Sequence, residues 1–233
     1  MPIYLLNESL DFPHPSLSNE DGILAIGGDL SVDRLVIAYQ NGIFPWYSEG
    51  DPIIWWSPDP RFVLFPEKIR LTKSTRQVMR NSGFKITYDT VFATVVKNCQ
   101  QIKRGKQQEG TWITEDMMQA YTDLHRAGYA HSVEVWKDDQ LVGGLYGVSI
   151  GKCFFGESMF HKASNASKVA LAHLTINLHR HGFWLIDCQQ ETDHLKSLGA
   201  EAIPRASFLE YLEKNTTEPT MIGSWEHQFE TVE

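Results

Sequence analysis

The sequence predicts an α+β fold in which a small N-terminal domain, residues 1–62, precedes a larger domain, residues 63–233, with a mostly antiparallel sheet. Three observations support this prediction. The first sixty residues are rich in turn formers and aromatic side chains. Helical and extended patterns alternate after them. Three β patterns within residues 131–160 are separated only by short turns, which is typical of an antiparallel meander.

Length and composition indicate a globular protein. A chain of 233 residues can form one large domain or a main domain with a small one. We find no basic start followed by an apolar run, and no apolar stretch of the roughly 20 residues that a membrane-spanning helix needs. Cys99, Cys153 and Cys188 fit neither a disulfide framework nor a zinc ribbon, which favours a reducing compartment. We therefore expect a cytoplasmic protein.

One short helix is predicted in the N-terminal part. Ser31 or Asp33 is the expected cap, Leu35 and Tyr39 share an apolar face, and Gly42 ends the helix. The segment PIIWWSPDP at 52–60 is punctuated by prolines. We interpret it as an extended link to the larger domain.

The larger domain is predicted to contain helices, a meander and a further strand. Helices are expected at about 74–82, 90–103 and 115–127, and strands at 131–136, 141–150, 153–160 and 183–189. Ser164 or Asn165 should cap a long helix that continues to about His179. Meander, helix and strand follow the order of an acetyltransferase-like (GNAT-type) domain, an architectural analogy that carries no chemistry.

Charge is unevenly distributed along the chain. Residues 68–106, here called the basic segment, hold ten basic residues and one acidic residue, a net charge of +9. The remainder has a net charge of -17, although the whole chain carries only -8. A basic block in an acidic chain is typical of a phosphate-binding face, and a solvated surface without a partner explains it equally well.

Several common site types are disfavoured. No glycine-rich phosphate loop is present, and the turn HKASNAS at 161–167 lacks the glycine that coenzyme A users of this fold place before the long helix. Ser158 does not lie in a G-x-S-x-G motif, and the nine histidines show no metal-site spacing. Cys188, beside Asp187, is better explained as a small core residue than as a nucleophile.

Two groups of residues remain as site candidates. Trp46, Trp56 and Trp112 are flanked by turn residues, and exposed indole faces stack nucleobases at roughly 1–3 kcal/mol per base. Core packing is the alternative for the tryptophans, and we expect it at Trp55, Trp136 and Trp184.

Three polar residues form the second group. Glu157 interrupts an apolar strand, so its carboxylate needs a partner, either a substrate amine or a structural cation. Asp187 and Gln189 share one face of their strand because side chains repeat every two residues. They can hydrogen-bond each other toward a cleft or satisfy neighbouring backbone.

A set of motifs in order along the chain resembles the leucyl/phenylalanyl-tRNA–protein transferase family over about residues 22–212. These motifs are GGDLS (27–31), GIFPWYS (42–48), IIWWSPDPR (53–61), EGTWIT (109–114), HSVEVW (131–136), LVGGLYGV (141–148), GESMF (156–160), NASKVAL (165–171), IDCQ (186–189) and SLGAEAIPR (197–205). The resemblance implies a GNAT-like aminoacyltransferase. It implies donors that are tRNAs charged with Leu, Phe or, less readily, Met, and acceptor proteins that begin with Arg or Lys and are thereby marked for degradation. The sequence contains no cofactor signature and no metal-site spacing, so we expect neither a cofactor nor a metal. We expect a monomer with no membrane contact.

The resemblance also implies roles for individual residues. Trp46 and Trp112 would hold the terminal adenosine, with Tyr121 nearby. Glu157, Asp187 and Gln189 would surround the reacting groups. The pocket for the transferred side chain would be formed by Leu145, Phe154, Met159 and Leu174. The acceptor stem of the tRNA would contact Arg76 and Arg80. Two alternatives stay open: a CoA-dependent N-acyltransferase, and a tRNA-binding module without catalysis.

Overall fold

The N-terminal part of the chain forms a small four-stranded sheet. The computed structural model describes residues 3–102 and 112–231. The strands of this sheet are β1 (Tyr4–Leu6), β2 (Ile23–Gly27), β3 (Phe44–Pro45) and β4 (Ile54–Trp56), in the order β1-β2-β4-β3. Helix α1 (Val32–Gln40) connects β2 to β3. Ser31 caps α1, and Leu35 and Tyr39 are fully buried, as the sequence predicts.

The rest of the chain forms a seven-stranded sheet with helices packed on it. Its strands are β5 (Arg61–Leu64), β6 (Lys85–Tyr88), β7 (Ala130–Lys137), β8 (Gln140–Ile150), β9 (Cys153–His161), β10 (Leu185–Gln189) and β11 (Glu201–Ile203), in the order β11-β5-β10-β9-β8-β7-β6. The helices are α2 (Lys73–Asn81), α3 (Phe92–Gln101), α4 (Glu115–Arg126), α5 (Ala166–Arg180), α6 (Asp193–Ser197) and α7 (Arg205–Asn215). Neighbouring strands of this sheet are antiparallel except β9 and β10, which are parallel and joined through α5. The predicted α+β class with a mostly antiparallel sheet is confirmed.

Two apolar clusters cover the two faces of the large sheet. One contains side chains of α1, α3 and α4, together with Tyr146 and Phe155, so it joins the N-terminal sheet to the large one. The other contains α5 and side chains such as Leu145 and Phe154, which alternate with the first set along the strands. The predicted boundary between the domains, after residue 62, falls inside β5 of the large sheet, which begins at Arg61. The division of the chain into two domains therefore stays a prediction.

Three local predictions differ from the structure. Part of the expected link, Ile54–Trp56, pairs as β4 because its carbonyls and amides find partners in β2 and β3. Asn165 stands at the cap position of α5, but with φ of 66° its side chain makes no capping hydrogen bond. Trp55 is fully buried as expected, whereas Trp136 and Trp184 are half-buried.

Two β-bulges lie beside each other where β9 and β10 separate. In the β8–β9 ladder, Tyr146 pairs with Ser158 and Gly147 with Gly156, which leaves Glu157 as the extra residue. In the β5–β10 ladder the register shifts between Asp187 and Gln189, and Gln189 has φ of 61°. Bulges redirect side chains and end strand pairing. The parallel β9–β10 register extends as far as the Phe155–Asp187 pair, and a cavity opens beyond it.

Candidate active site

The gap between β9 and β10 forms a cavity of about 420 Å³. Strands β8, β9 and β10 and helices α5 and α6 contribute its walls, and the N-terminal sheet contributes Phe44, Pro45 and Trp46. This is the crevice that opens where neighbouring strands of an α/β sheet diverge, a common place for ligands. Most of the side chains predicted as site residues meet here.

One wall of the cavity is apolar. It contains the four side chains predicted for the aminoacyl pocket, which are Leu145, Phe154, Met159 and Leu174. Three residues that the sequence analysis did not select complete it, namely Leu171, Ile186 and Leu195. Leu171 lies one helical turn before Leu174 on α5, so the i, i+3 spacing was the signal that could have identified it.

Two tryptophans also line the cavity. Trp46 and Trp112 both line it and are both half-buried, so part of each indole is accessible. Trp56 packs against Trp46 with ring centroids 5.3 Å apart and donates its indole N–H to the Trp46 carbonyl at 2.6 Å. Trp56 therefore supports Trp46 and does not line the cavity.

Glu157 is held by neutral hydrogen-bond donors. Its carboxyl oxygens lie 2.7 Å from the Tyr39 hydroxyl and 2.8 Å from the Tyr121 hydroxyl, and Gln189 donates its side-chain N–H at 2.9 Å. The sequence predicted a cation or a substrate amine as the partner, and these three groups take that place. Tyr121 is fully buried behind Glu157, so it reaches the cavity only through that carboxyl group.

Burial controls the ionisation of Glu157. Removal from water disfavours the charged form and, with a smaller effect of the Asp187 charge, raises the pKa of this carboxyl from 4.5 to about 7. Hydrogen bonds from Tyr39, Tyr121 and Gln189 act in the opposite direction and offset part of the increase. Glu157 is thus a group at the cavity that changes charge near neutral pH.

Asp187 forms a buried ion pair with Arg61. The guanidinium donates two hydrogen bonds, at 2.8 Å to Oδ1 and 2.6 Å to Oδ2, and both side chains are almost completely inaccessible. Oδ1 also accepts the backbone N–H of Gln189 at 2.9 Å. The sequence analysis did not select Arg61, although an arginine in the apolar strand RFVL indicates a buried partner.

The expected side-chain contact between Asp187 and Gln189 is replaced by a backbone contact. The bulge at Cys188 and the left-handed backbone of Gln189 break the two-residue alternation on which that expectation rested. The Gln189 side chain instead reaches Glu157 on the neighbouring strand. Asp187 fixes the backbone of Gln189, while Glu157 fixes its amide.

Cys188 has the properties of a neutral thiol. It lines the cavity and is half-buried. Burial, with a smaller effect of the Asp187 charge, raises its pKa well above the usual range. Because the thiolate is the nucleophilic form, this environment opposes a nucleophilic role.

Arg76 and Arg80 lie outside the cavity on α2. Both side chains are exposed and, four residues apart, share one face of the helix. The described bases of the basic segment are all exposed, and Lys68 forms an ion pair with Glu201 at 3.0 Å. The remaining three bases of the segment, Lys103, Arg104 and Lys106, lie outside the described residues, as does the start of the EGTWIT motif.

Two searches of the described residues, 3–102 and 112–231, gave negative results. No cluster of three or more His, Cys, Asp or Glu side chains there has the geometry to hold a metal ion. No helix in the same ranges is both long and apolar enough to cross a membrane.

Comparison with known proteins decides the family. The family model described as leucyl/phenylalanyl-tRNA protein transferase matches residues 63–213, and the model of that transferase's N-terminal domain matches residues 28–59. The chain belongs to this family. The resemblance drawn from the motifs is confirmed, and the chain is an enzyme of the family.

Relatives within the family are similar along their whole length. The leucyl/phenylalanyl-tRNA–protein transferase of Syntrophus aciditrophicus is 55% identical over 233 residues, covering 100% of this chain and 97% of the relative. That of Desulfatibacillum aliphaticivorans is 53% identical, covering 97% and 96%. Among solved structures, a GCN5-related N-acetyltransferase from Kribbella flavida matches with 9% identity and a TM-score of 0.38, covering 72% of this chain and 59% of that one.

The raised pKa of Glu157 predicts a pH-dependent loss of stability. Below pH 4.5 the carboxyl is protonated in both the folded and the unfolded state. Between pH 4.5 and about 7 only the folded state keeps the proton, so the free energy of unfolding falls as pH rises and stays lowered above 7. In urea unfolding across this pH range, the free energy of unfolding of wild type should fall by about 3 kcal/mol relative to that of Glu157→Gln. Parallel pH profiles for the two proteins would contradict the assignment.

Proposed function

We propose that the enzyme transfers Leu or Phe, and less readily Met, from aminoacyl-tRNA to the α-amine of proteins that begin with Arg or Lys, which marks them for degradation in the cytoplasm. It would act as a monomer and without a cofactor. The observation that carries the proposal is the cavity itself. An apolar group of side chains and two tryptophans line it, and a fixed amide and a titratable carboxyl lie where the strands separate.

The apolar wall suits the donor side chain. Leu145, Phe154 and Leu174 are almost fully buried, so they offer a dry surface to an unbranched or aromatic group. An apolar pocket discriminates by only about 1–3 kcal/mol per methylene, which is consistent with acceptance of Leu, Phe and Met together. The exposed parts of Trp46 and Trp112 would stack the adenosine that carries the ester.

The reaction is aminolysis of an ester. The acceptor nitrogen forms a bond to the ester carbonyl carbon, the bond to the ribose oxygen breaks, and the proton lost by the amine ends on that oxygen. An α-amine has a pKa of about 7.7–8.0, so a useful fraction is unprotonated near neutral pH. Juxtaposition of oriented partners can supply about 7–11 kcal/mol of the barrier, and a strong base is unnecessary.

Gln189 is the residue we assign to orienting the attacking amine. Its side-chain N–H is used by Glu157, which leaves the amide oxygen to accept a hydrogen bond from the amine. Asp187 holds the backbone of Gln189, and its charge is engaged by Arg61. We therefore assign Asp187 mainly to fixing Gln189, with charge acceptance as its secondary contribution.

A cationic acceptor side chain suits the charge near the cavity. An adjoining cavity of about 340 Å³ shares Phe44, Trp46 and Gln189 with the first and is also lined by carboxylates. These carboxylates are Asp21, Asp59 and Glu191. Together with the net charge of -17 outside the basic segment, they favour an acceptor that carries an α-ammonium and a second positive charge.

Transfer of labelled leucine tests the proposal directly. Leu-tRNA is mixed with the enzyme and either of two acceptor proteins that differ only in an N-terminal Arg or Ala. We expect label on the Arg acceptor at least about tenfold faster than on the Ala acceptor, because the Ala acceptor lacks the second charge. Equal labelling of both would contradict the acceptor rule. Labelling of neither, with charged and uncharged tRNA bound equally, would indicate a binding module without catalysis.

Arg76 and Arg80 are expected to bind the acceptor stem through its phosphates. Replacing both with Ala should raise the KM for Leu-tRNA and leave kcat unchanged, because these side chains lie outside the cavity. The slope of log affinity against log salt should decrease by about 1 per lost contact. Arg126→Ala is the matched control, since Arg126 is exposed on α4 and paired with Asp123. An unchanged salt slope in the double variant would exclude the assignment.

A further inference from the structure

Three buried hydroxyl and carboxyl groups form a closed ring behind the cavity. The Tyr39 hydroxyl lies 2.7 Å from Glu157 Oε1, the Tyr121 hydroxyl lies 2.8 Å from Glu157 Oε2, and the two hydroxyl oxygens lie 2.5 Å apart. Tyr39 and Tyr121 are fully inaccessible, and Glu157 is 9% exposed. Each of these three separations is a hydrogen-bonding distance, so each needs one hydrogen.

Counting hydrogens identifies the form of Glu157 that fits this ring. With an ionised carboxylate, the two tyrosines supply two hydrogens for three contacts, so one pair of oxygens, at 2.5 to 2.8 Å, would face each other without a hydrogen between them. With a protonated carboxyl group, three hydrogens serve three contacts. The ring can then run in either direction: each tyrosine hydroxyl donates one hydrogen bond and accepts one, and within the ring one carboxyl oxygen donates while the other accepts.

We propose that Tyr39 is a positioning residue that acts through Glu157, because together with Tyr121 it closes a ring of three hydrogen bonds around a protonated Glu157 carboxyl and thereby sets the orientation of the Gln189 amide. In either direction of the ring, the carboxyl hydrogen is committed to a tyrosine. Gln189 therefore meets only an accepting oxygen at Glu157 Oε1, donates its N–H there at 2.9 Å, and turns its own oxygen away. The inference rests on the proposed function for its kinetic consequence only.

The surroundings of Glu157 support a neutral carboxyl group in the free enzyme. The titratable groups that face it come from five elements: Tyr39 of α1, Tyr121 of α4, Tyr146 of β8, Asp187 and Cys188 of β10, and Arg61 of β5 through its pair with Asp187. Burial raises the pKa of both ring tyrosines well above 10, so they remain neutral donors. The Glu157 pKa of about 7 agrees with protonation on the acid side of neutrality.

Tyr39 also explains how the N-terminal sheet affects the chemistry. It comes from α1, whose cap and apolar face place its ring 5.1 Å from Phe155 of β9. The Tyr39 hydroxyl is the contribution of α1 to the hydrogen-bonded ring, whereas the aromatic group of Tyr39 packs in the apolar core. The change Tyr39→Phe therefore removes the hydrogen bonds and keeps the packing.

Infrared spectroscopy tests the protonation state without relying on activity. Wild type should lose one carboxylic-acid carbonyl band between about pH 5 and about pH 9, two units on either side of the expected pKa, and the difference spectrum between these pH values should show that loss. That band should be absent from Glu157→Gln, should shift in frequency in Tyr39→Phe, and should be unchanged in Tyr47→Phe. Tyr47 is the matched control because its hydroxyl contacts Thr114 at 3.3 Å, away from the ring. No such band in wild type, or a band that survives Glu157→Gln, would overturn the proposal.

Transfer kinetics test the consequence for Gln189. The amide of Glu157→Gln can supply the accepting oxygen and the donor that the protonated acid supplies, with one N–H left over, so kcat should fall less than in Glu157→Ala. Tyr39→Phe should lower kcat about tenfold, the order of one net hydrogen bond, with the KM for Leu-tRNA unchanged. A loss of about a hundredfold in Glu157→Gln would show that an ionised Glu157 is needed and would overturn the proposal. Absence of transfer by wild type would refute the proposed function alone, because the infrared result does not depend on it.

Discussion

The buried ion pair of Arg61 and Asp187 is the interaction on which the active site depends. It joins β5 to β10, and the guanidinium lies 4.8 Å from the ring centroids of both Phe44 and Phe208, which come from the N-terminal sheet and α7. Two buried charges are costly to remove from water, and two short hydrogen bonds with a third from the Gln189 backbone offset that cost. Loss of one partner would leave a buried charge uncompensated, at about 3–5 kcal/mol.

The arrangement of the cavity follows from this constraint. Asp187, once fixed, holds the backbone of Gln189 in its left-handed conformation, so the strand turns away from β9 just where Glu157 bulges out of the neighbouring ladder. The two bulges bring a carboxyl group and an amide within hydrogen-bonding distance at the polar end of a largely apolar cavity. In the proposed reaction, a site of this kind would orient its substrates with little need of a strong base, which suits an activated ester and an amine that is partly unprotonated.

The sequence predicted the parts of this structure that depend on local pattern. The meander and the helix capped by Ser31 follow from periodicity and capping, whereas the apolar wall around Leu174 was indicated by the family resemblance. The contacts of Asp187 and Gln189 do not follow from such a pattern. A single bulged residue reverses the alternation of side chains along the strand, and no feature of the local sequence indicates the bulge. The partners of Glu157 come from 36 and 118 residues away, a separation that no pattern within one element can reveal.

The most direct test of this account is the behaviour of Asp187→Asn, with stability and single-turnover leucine transfer measured on the same preparation. If Asp187 positions Gln189 and balances the charge of Arg61, unfolding should become easier by about 3–5 kcal/mol, while the transfer rate of the folded enzyme should fall by less than about tenfold. Asparagine can still accept the Gln189 backbone N–H, which is why the rate should be largely kept. Unchanged stability with a rate lowered by about a thousandfold would show that the Asp187 charge acts in proton transfer, and would contradict the account.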